Sequence, residues 1–391
     1  MPTAPTFSIL VPTYNQAHFL AESLGSLLAQ SDPDWEAVIV DDGSTDATPQ
    51  ELASWSARDP RFRVFRKENG GTASALNRGL EEARGTWILW LSSDDLFEHD
   101  RLEVVRNAIR SEPEARFFHG DYGVLDGDTL EWRRNVSDFS QGRAPAPPWQ
   151  TIAFCGFNYV NGITIAIHRD VFARLGRFDL RYPWGQDFAF WLHASRTERL
   201  HFIDRSTVFT RTYATQATTS FPERGIFDSA RACADLLNRN RLADLLPDLD
   251  WNDPVQACAA IEVCTRILID GGAILVQAGL GRLLFERLVE AVGAVVAPQA
   301  AEELRARLYL MRGQSPAPVV GELWGVLQGA VGSSFAYAPT APLDEMRRHA
   351  ARLRDSGADA QAAKFDNYFK WLESKASAGV LGAGFEPAPA F

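Results

Sequence analysis

The chain has 391 residues, 46% apolar and 23% charged, which suffices for two domains with buried cores and excludes disorder along its whole length. Its 39 basic and 50 acidic residues leave a net charge of −11, which excludes wholesale binding to nucleic acid or to an anionic membrane, because both need a positive face. The local exception, a basic cluster of Arg58, Arg61, Arg63, Arg66 and Lys67, reads as a solvated face.

In chain order, residues 7–11 form a short apolar run stopped by Pro12 and read as a buried strand. Phe19, Leu20, Ser23, Leu24, Leu27 and Leu28 then recur at helical spacing. A β-rich run at 37–40 leads into the polar turn Asp41-Asp42-Gly43-Ser44-Thr45-Asp46, and a helix follows with Pro49 in its first turn. Residues 62–65 are a third strand, Asn69-Gly70-Gly71 a loop, 73–83 a helix, and 87–91 a fourth strand ending at Ser92-Ser93-Asp94-Asp95. This alternation predicts an α/β fold with a mostly parallel sheet flanked by helices.

Past residue 100 the pattern loosens. Segments 116–124 and 130–136 suggest a hairpin, 142–148 a Pro-rich loop, 162–167 a strand, and 170–175 and 188–195 helices. From about Pro222 the composition turns helical, with runs at 230–238, 257–269, 301–311 and 343–372. The expected organisation is a domain at 1–221 (a first half at about 1–100 and a second at about 101–221), a helical domain at 222–375, and a disordered Gly/Ala/Pro-rich tail at 376–391. The helical domain reads as a packed bundle, which leaves room for acceptor binding or a homo-oligomer.

Four cysteines, Cys155, Cys233, Cys258 and Cys264, form no CxxC pair and no zinc-like spacing with histidine, so they read as buried thiols in a reducing compartment. The first ten residues lack the basic region of a signal peptide, and no run of about 18 apolar residues occurs. A cytoplasmic location follows as the expectation, with peripheral contact at the inner face of a membrane left open; there is no strongly basic amphipathic helix.

Ligands of open parallel sheets sit outside the carboxyl ends of the strands. Three strands end there in Pro12-Thr13-Tyr14-Asn15, Asp41-Asp42-Gly43-Ser44 and Ser92-Ser93-Asp94-Asp95, so four carboxylates converge on one edge. Either a hard cation such as Mg²⁺ or Mn²⁺ bridges them to a phosphate, or some accept from ribose hydroxyls or the N–H of a base. Each pair alone also reads as a helix cap or turn.

The order PTYN, VDDGSTD, ENGG…ALNRGL and WLSSDD resembles the opening of the inverting family 2 glycosyltransferases, which have the GT-A fold, and the segment 161–196 resembles their acceptor side. The resemblance implies transfer of one sugar from a nucleoside diphosphate sugar, UDP-sugar by preference, to a hydroxyl of a glycan, a lipid-linked or another acceptor. It places Pro12, Thr13, Tyr14, Asn15, Asp41, Asp42, Gly70, Gly71, Asn77 and Asp94 at the nucleotide. Asp42 would accept from the base, Asp94 would meet ribose or sugar, and Asp95 would hold Mn²⁺ or Mg²⁺. Asp187 matches the catalytic base, with Arg211, Gln186 and Trp184 on the phosphate or acceptor side. From the residues alone, Asp187 is as readily the N-cap of the helix 188–195, and Trp191 belongs to the core.

The chain departs from the family pattern at four positions. Gln186 stands for a Glu, Ser92 for an acid, Leu76 for an Arg and Tyr213 for a His. No QxxRW element follows Asp187, which argues against a processive polymerase. Two alternatives remain: a non-catalytic nucleotide-sugar-binding or scaffolding protein of the same fold, and a sugar nucleotidyltransferase, which would need a basic, Gly-rich loop where residues 12–15 stand.

Overall fold

A computed structural model describes residues 4–127, 132–134, 150–156, 158–214, 216, 222–247, 250–251 and 354. The chain falls into two compact units, Met1–Gln150 with Asn158–Ser220, and Thr151–Phe157 with Phe221–Phe391. In chain order the elements are β1 (Phe7–Thr13), α1 (Leu20–Leu28), β2 (Trp35–Asp41), α2 (Thr48–Arg58), β3 (Phe62–Arg66), α3 (Thr72–Glu82), β4 (Trp87–Trp90) and β5 (Leu96–Phe97). They continue with α4 (Arg101–Ser111), β6 (Phe117–Asp126), β7 (Trp132–Arg134), α5 (Gln150–Gly156), β8 (Ala166–His168), α6 (Arg169–Leu175), α7 (Gln186–Ala194) and β9 (Leu200–Thr212).

The strands of the first unit form one sheet in the order β3-β2-β1-β4-β8-β6-β9-β5, with β7 paired to β6. Strands β1 to β4 are mutually parallel, and β6 runs parallel to β9; β8 and β5 are antiparallel to their neighbours. The sheet is therefore mixed, with four parallel and four antiparallel pairings among the described residues, and its β1–β4 half is parallel throughout. Strand β2 is buried along its whole length, which a strand covered by helices on both faces requires. Helix α1 buries Leu20, Ser23, Leu24 and Leu27, the single stripe its spacing predicts. Helix α3 presents Ala73, Ala75 and Gly79 to the sheet; a Cβ on Gly79 would lie 3.2 Å from Leu10, so the small residues set how closely α3 approaches β1.

Four elements differ from the sequence reading. The strand expected at 162–167 is a single 3₁₀ turn, Gly162–Thr164, followed by β8. The Asn161 side chain caps that turn at 3.1 Å from the Ile163 amide, and Gly162 abuts the Trp90 indole, where a Cβ would lie 2.4 Å from a ring carbon. Helix α7 starts at Gln186 with Gly185 as its N-cap, so Asp187 lies in the first turn and is not the cap. Helix α4 and strand β9 lie in the region where the pattern loosened.

The basic cluster is not a free patch. Arg61 pairs with Asp59 and Arg63 with Glu36, both at 2.8 Å, Arg66 with Asp41 at 3.4 Å and Lys67 with Asp42 at 2.6 Å, while Arg58 lies over the Trp55 ring. In the second unit, the described residues include a helix at Pro222–Arg239 and the buried free thiols Cys155 and Cys233. The loop expected at 142–148, the helical runs at 257–269, 301–311 and 343–372, the tail, Cys258 and Cys264 lie outside the described residues. Among the described residues no helix is long and apolar enough to cross a membrane.

Candidate active site

The carboxyl ends of β1 and β2 are stitched into one platform. The Asp42 amide donates to the Thr13 carbonyl at 2.9 Å, the Asn15 amide to the Ser44 hydroxyl at 2.9 Å, and the Thr45 amide to the Asn15 side-chain oxygen at 2.8 Å. Asn15 holds φ at +54°, a conformation Asn tolerates better than most residues. Tyr14, between buried Thr13 and half-buried Asn15, is 47% exposed.

Asp41 and Asp42 are both buried, and each is engaged. Asp41 accepts from the Ser44 amide at 2.8 Å and pairs with Arg66, so it shapes the turn. Asp42 accepts from Lys67 Nζ at 2.6 Å, from the Gly70 amide at 3.1 Å and from the Gly71 amide at 2.7 Å. Gly71 takes φ +82° and ψ 170°, a region nearly closed to other residues, and this turns its amide onto Asp42. The Asn69-Gly70-Gly71 loop is thus held against the carboxylate that the sequence assigned to a base.

The Asp94–Asp95 turn follows β4, and the end of β9 clasps it. Asp95 Oδ1 accepts from the Arg211 amide at 2.8 Å and the Thr210 hydroxyl at 3.2 Å. Asp94 Oδ2 accepts from the Tyr213 hydroxyl at 2.9 Å. Burial pushes both carboxyls up. For Asp94 the Tyr213 bond and the Arg211 and His18 charges oppose the shift, while for Asp95 the Asp94 charge adds to it. This pair is short of positive charge, which a divalent cation would supply. Among the described residues no group of three or more His, Cys, Asp or Glu side chains could enclose a metal. Two carboxylates on one turn nevertheless fit Mg²⁺ or Mn²⁺, which commonly take one or two carboxylates and complete their shell with a ligand's phosphates.

Two residues expected at the ligand also have partners within the protein. Arg211 is buried: Nε donates to the Asp94 carbonyl at 3.0 Å, the guanidinium pairs with Glu22, and it lies 4.8 Å from the Phe19 ring centroid. In these contacts it braces the acid turn. Asn77 spends its amide on both backbone groups of Phe178, at 2.8 and 2.9 Å, and ties α3 to the turn before α7.

Helix α7 is fixed by aromatic packing, with Trp191 fully buried against Phe117, Phe178 and Phe190, as a core residue should be. Asp187 is partly accessible, accepts from the Phe188 amide at 2.8 Å, and has its carboxyl raised by desolvation. A raised carboxyl makes a stronger base once ionised. The Gln186 side-chain oxygen is buried and meets no donor among the described residues, and Trp184 is partly exposed. No hydrogen bond among the described residues joins Gln186 or Asp187 to the acid pair. Sequence reasoning missed Gln16, Glu22, Lys67 and Thr210; of these only Lys67 carried a signal, a cation directly after β3 facing an acidic turn.

Residues 8–164 match the family described as glycosyl transferase family 2. The chain carries a family 2 glycosyltransferase domain. An uncharacterized glycosyltransferase of Rickettsia felis is 29% identical over 217 residues, covering 55% of this chain and 35% of the relative. The putative teichuronic acid biosynthesis glycosyltransferase TuaG of Bacillus subtilis is 41% identical over 100 residues, covering 25% of this chain and 40% of the relative. This chain therefore spans well under half the length of either protein. Among solved structures, Staphylococcus aureus TarS 1–349 in complex with UDP superposes with a TM-score of 0.53 at 19% identity, over 85% of this chain and 94% of that one. That likeness is one of fold, and the fold is the GT-A-type mixed sheet flanked by helices. The acid turn lies within the family match, whereas Asp187 and the β9 clasp lie beyond it.

Proposed function

We propose that the chain moves one sugar from a nucleoside diphosphate sugar to an acceptor hydroxyl in a single displacement that inverts the anomeric carbon. The observation that carries this reading is the desolvated Asp94–Asp95 pair, at the carboxyl end of β4 next to the Thr13–Asn15 and Asp41–Ser44 turns. The exposed Tyr14 ring and the Gly70–Gly71 loop flank the nucleotide. Asp42 accepts from a base N–H once the loop amides yield it. UDP is the first nucleotide to test, since TarS, which shares the fold, was solved with it.

Asp94 and Asp95 would hold Mn²⁺ or Mg²⁺ together with the diphosphate. Such a cation neutralises charge that builds on a leaving diphosphate. The Thr210 and Arg211 bonds occupy Asp95 Oδ1, and the Ser92 side chain also bonds this carboxylate. Asp187 takes the proton of the acceptor hydroxyl as that oxygen bonds to the anomeric carbon and the bond to the diphosphate oxygen breaks. Its raised carboxyl suits it as the base. The acceptor is a glycan or lipid-linked hydroxyl, and biosynthesis of a surface polysaccharide is the setting that TuaG suggests. The free thiols Cys155 and Cys233 are in keeping with the reducing cytoplasm.

The test is proton NMR of the product formed from a UDP-sugar and a panel of acceptors. A product with inverted anomeric configuration, absent with Asp187→Asn, supports the reading. Turnover that Asp187→Asn leaves intact, or retention of configuration, removes it. A protein that binds UDP yet turns over no donor would be the scaffolding alternative.

A further inference from the structure

The position where the family pattern has a His is filled here by Tyr213, whose surroundings give the hydroxyl a defined task. It donates to Asp94 Oδ2 at 2.9 Å and accepts from Gln16 Nε2 at 3.2 Å. Gln16 is itself anchored, its amide donating to the Thr48 hydroxyl at 3.0 Å. The Tyr213 ring packs on Phe19 with centroids 5.0 Å apart, and Phe19 also supports the Arg211 guanidinium that holds the Asp94 carbonyl. Asp94 is therefore gripped at its main chain by Arg211 and at its side chain by Tyr213, from one end of β9. Neither grip reaches Asp94 Oδ1, to which no side chain among the described residues donates.

An imidazole at this place could offer a lone pair to a cation. The phenol behaves otherwise, because its proton goes to Asp94 and one of its lone pairs is met by the Gln16 amide. Burial and the Asp94 charge both push the phenol well above its ordinary value, so it stays a neutral donor throughout the neutral range.

We propose that Tyr213 is a positioning residue: oriented by Gln16, its hydroxyl occupies Asp94 Oδ2 and fixes that carboxylate so that Oδ1 is the atom offered to the cation-bound donor. This rests on the donor-site reading above. Without the hydroxyl, Asp94 keeps a desolvated oxygen with no donor, and it either rotates away or takes up a proton. In both cases the metal-linked part of nucleotide binding falls, while contacts to the base and ribose persist.

The experiment is calorimetric titration of the full chain with UDP, in Mn²⁺ and in EDTA, for the parent, Tyr213→Phe and Gln16→Leu, with melting curves of each. Tyr213→Phe keeps the ring on Phe19. It is expected to bind UDP in EDTA as the parent does, and to lose about fivefold or more of the affinity gained with Mn²⁺. Gln16→Leu is expected to lose less in the same direction. An Mn²⁺ gain that Tyr213→Phe leaves unchanged or increases overturns the proposal and leaves the donor site standing. Equal loss in Mn²⁺ and EDTA, with a lowered melting temperature, assigns Tyr213 a merely structural part and also overturns it. A parent whose UDP affinity ignores Mn²⁺ removes the cation reading together with this one, and a parent that binds no UDP removes the donor site itself.

Discussion

Replacing Arg211 by Met separates a brace from a phosphate ligand. Met keeps most of the buried stem while deleting the guanidinium, and the Arg211 amide can still reach Asp95. What is lost is the charge-assisted bond to the Asp94 carbonyl, worth about 1.5–3 kcal/mol. The pair with Glu22 adds at most about 1 kcal/mol, because Glu22 is 54% exposed and solvent screens it. The cation over Phe19 adds about 0.5–1 kcal/mol. The sum is about 3 kcal/mol, and at roughly 2–4 °C per kcal/mol for a unit of this size the melting temperature should fall by about 6–12 °C. The Arg211 charge also helps keep the Asp94 carboxyl down, so its loss weakens Mn²⁺-linked UDP binding as well. Circular-dichroism melting and UDP titration read the two effects. Unchanged melting with a large loss of UDP affinity would mean that the guanidinium reaches the diphosphate, and would refute the brace.

Asn77→Ala removes two bonds to Phe178 and should cost about 1–3 kcal/mol of stability with UDP affinity unaltered; an affinity loss without a stability loss would put Asn77 on the nucleotide after all. Asp187→Asn should lower turnover by about 10²- to 10⁴-fold while sparing UDP binding, and since burial raises the Asp187 carboxyl, the acid limb of the parent's pH–rate profile should lie above the ordinary carboxylate range. A limb at the ordinary range, or a variant with near-parent turnover, argues against Asp187 as the base. His119 is fully buried with neither ring nitrogen bonded among the described residues, and burial pushes it down to about 3. The unfolded chain therefore binds that proton first, and stability drains as pH falls from 6.5 toward about 3, by up to about 1.4 kcal/mol per pH unit. His119→Phe should flatten that slope in urea melts at pH 7 and pH 4.5, and an unchanged slope would show that His119 is protonated in the fold.

The first half of the fold was legible because its helices and strands alternate with unbroken periodicity. Residues 37–40 are wholly apolar, Leu20, Leu24 and Leu27 keep to one stripe, and each polar strand end follows such a run. Strand β9 escaped because Asp204, Arg205 and Ser206 interrupt it near a register shift against β6, so its pattern has no constant period. Helix α4 was legible too, since Leu102, Val105 and Ile109 recur at helical spacing after Asp100, a residue type favoured at N-caps. In the site, residue types were legible and partners were not. Asp94 and Tyr213 lie 119 positions apart and Arg211 and Glu22 lie 189 apart, so only the folded chain shows that one strand end holds the acid turn. The same holds for Asp42, whose oxygens are met by Lys67 and two glycine amides that a sequence reading left to the nucleotide.

The central claim is that the Asp94–Asp95 turn forms a cation-dependent donor site. Calorimetric titration of the purified chain with UDP, GDP and dTDP, each with and without Mn²⁺, alongside Asp95→Ala, tests it most directly. One diphosphate is expected to bind, with Mn²⁺ strengthening its binding and Asp95→Ala erasing the Mn²⁺ gain. Failure of all three diphosphates to bind, with or without metal, would contradict it.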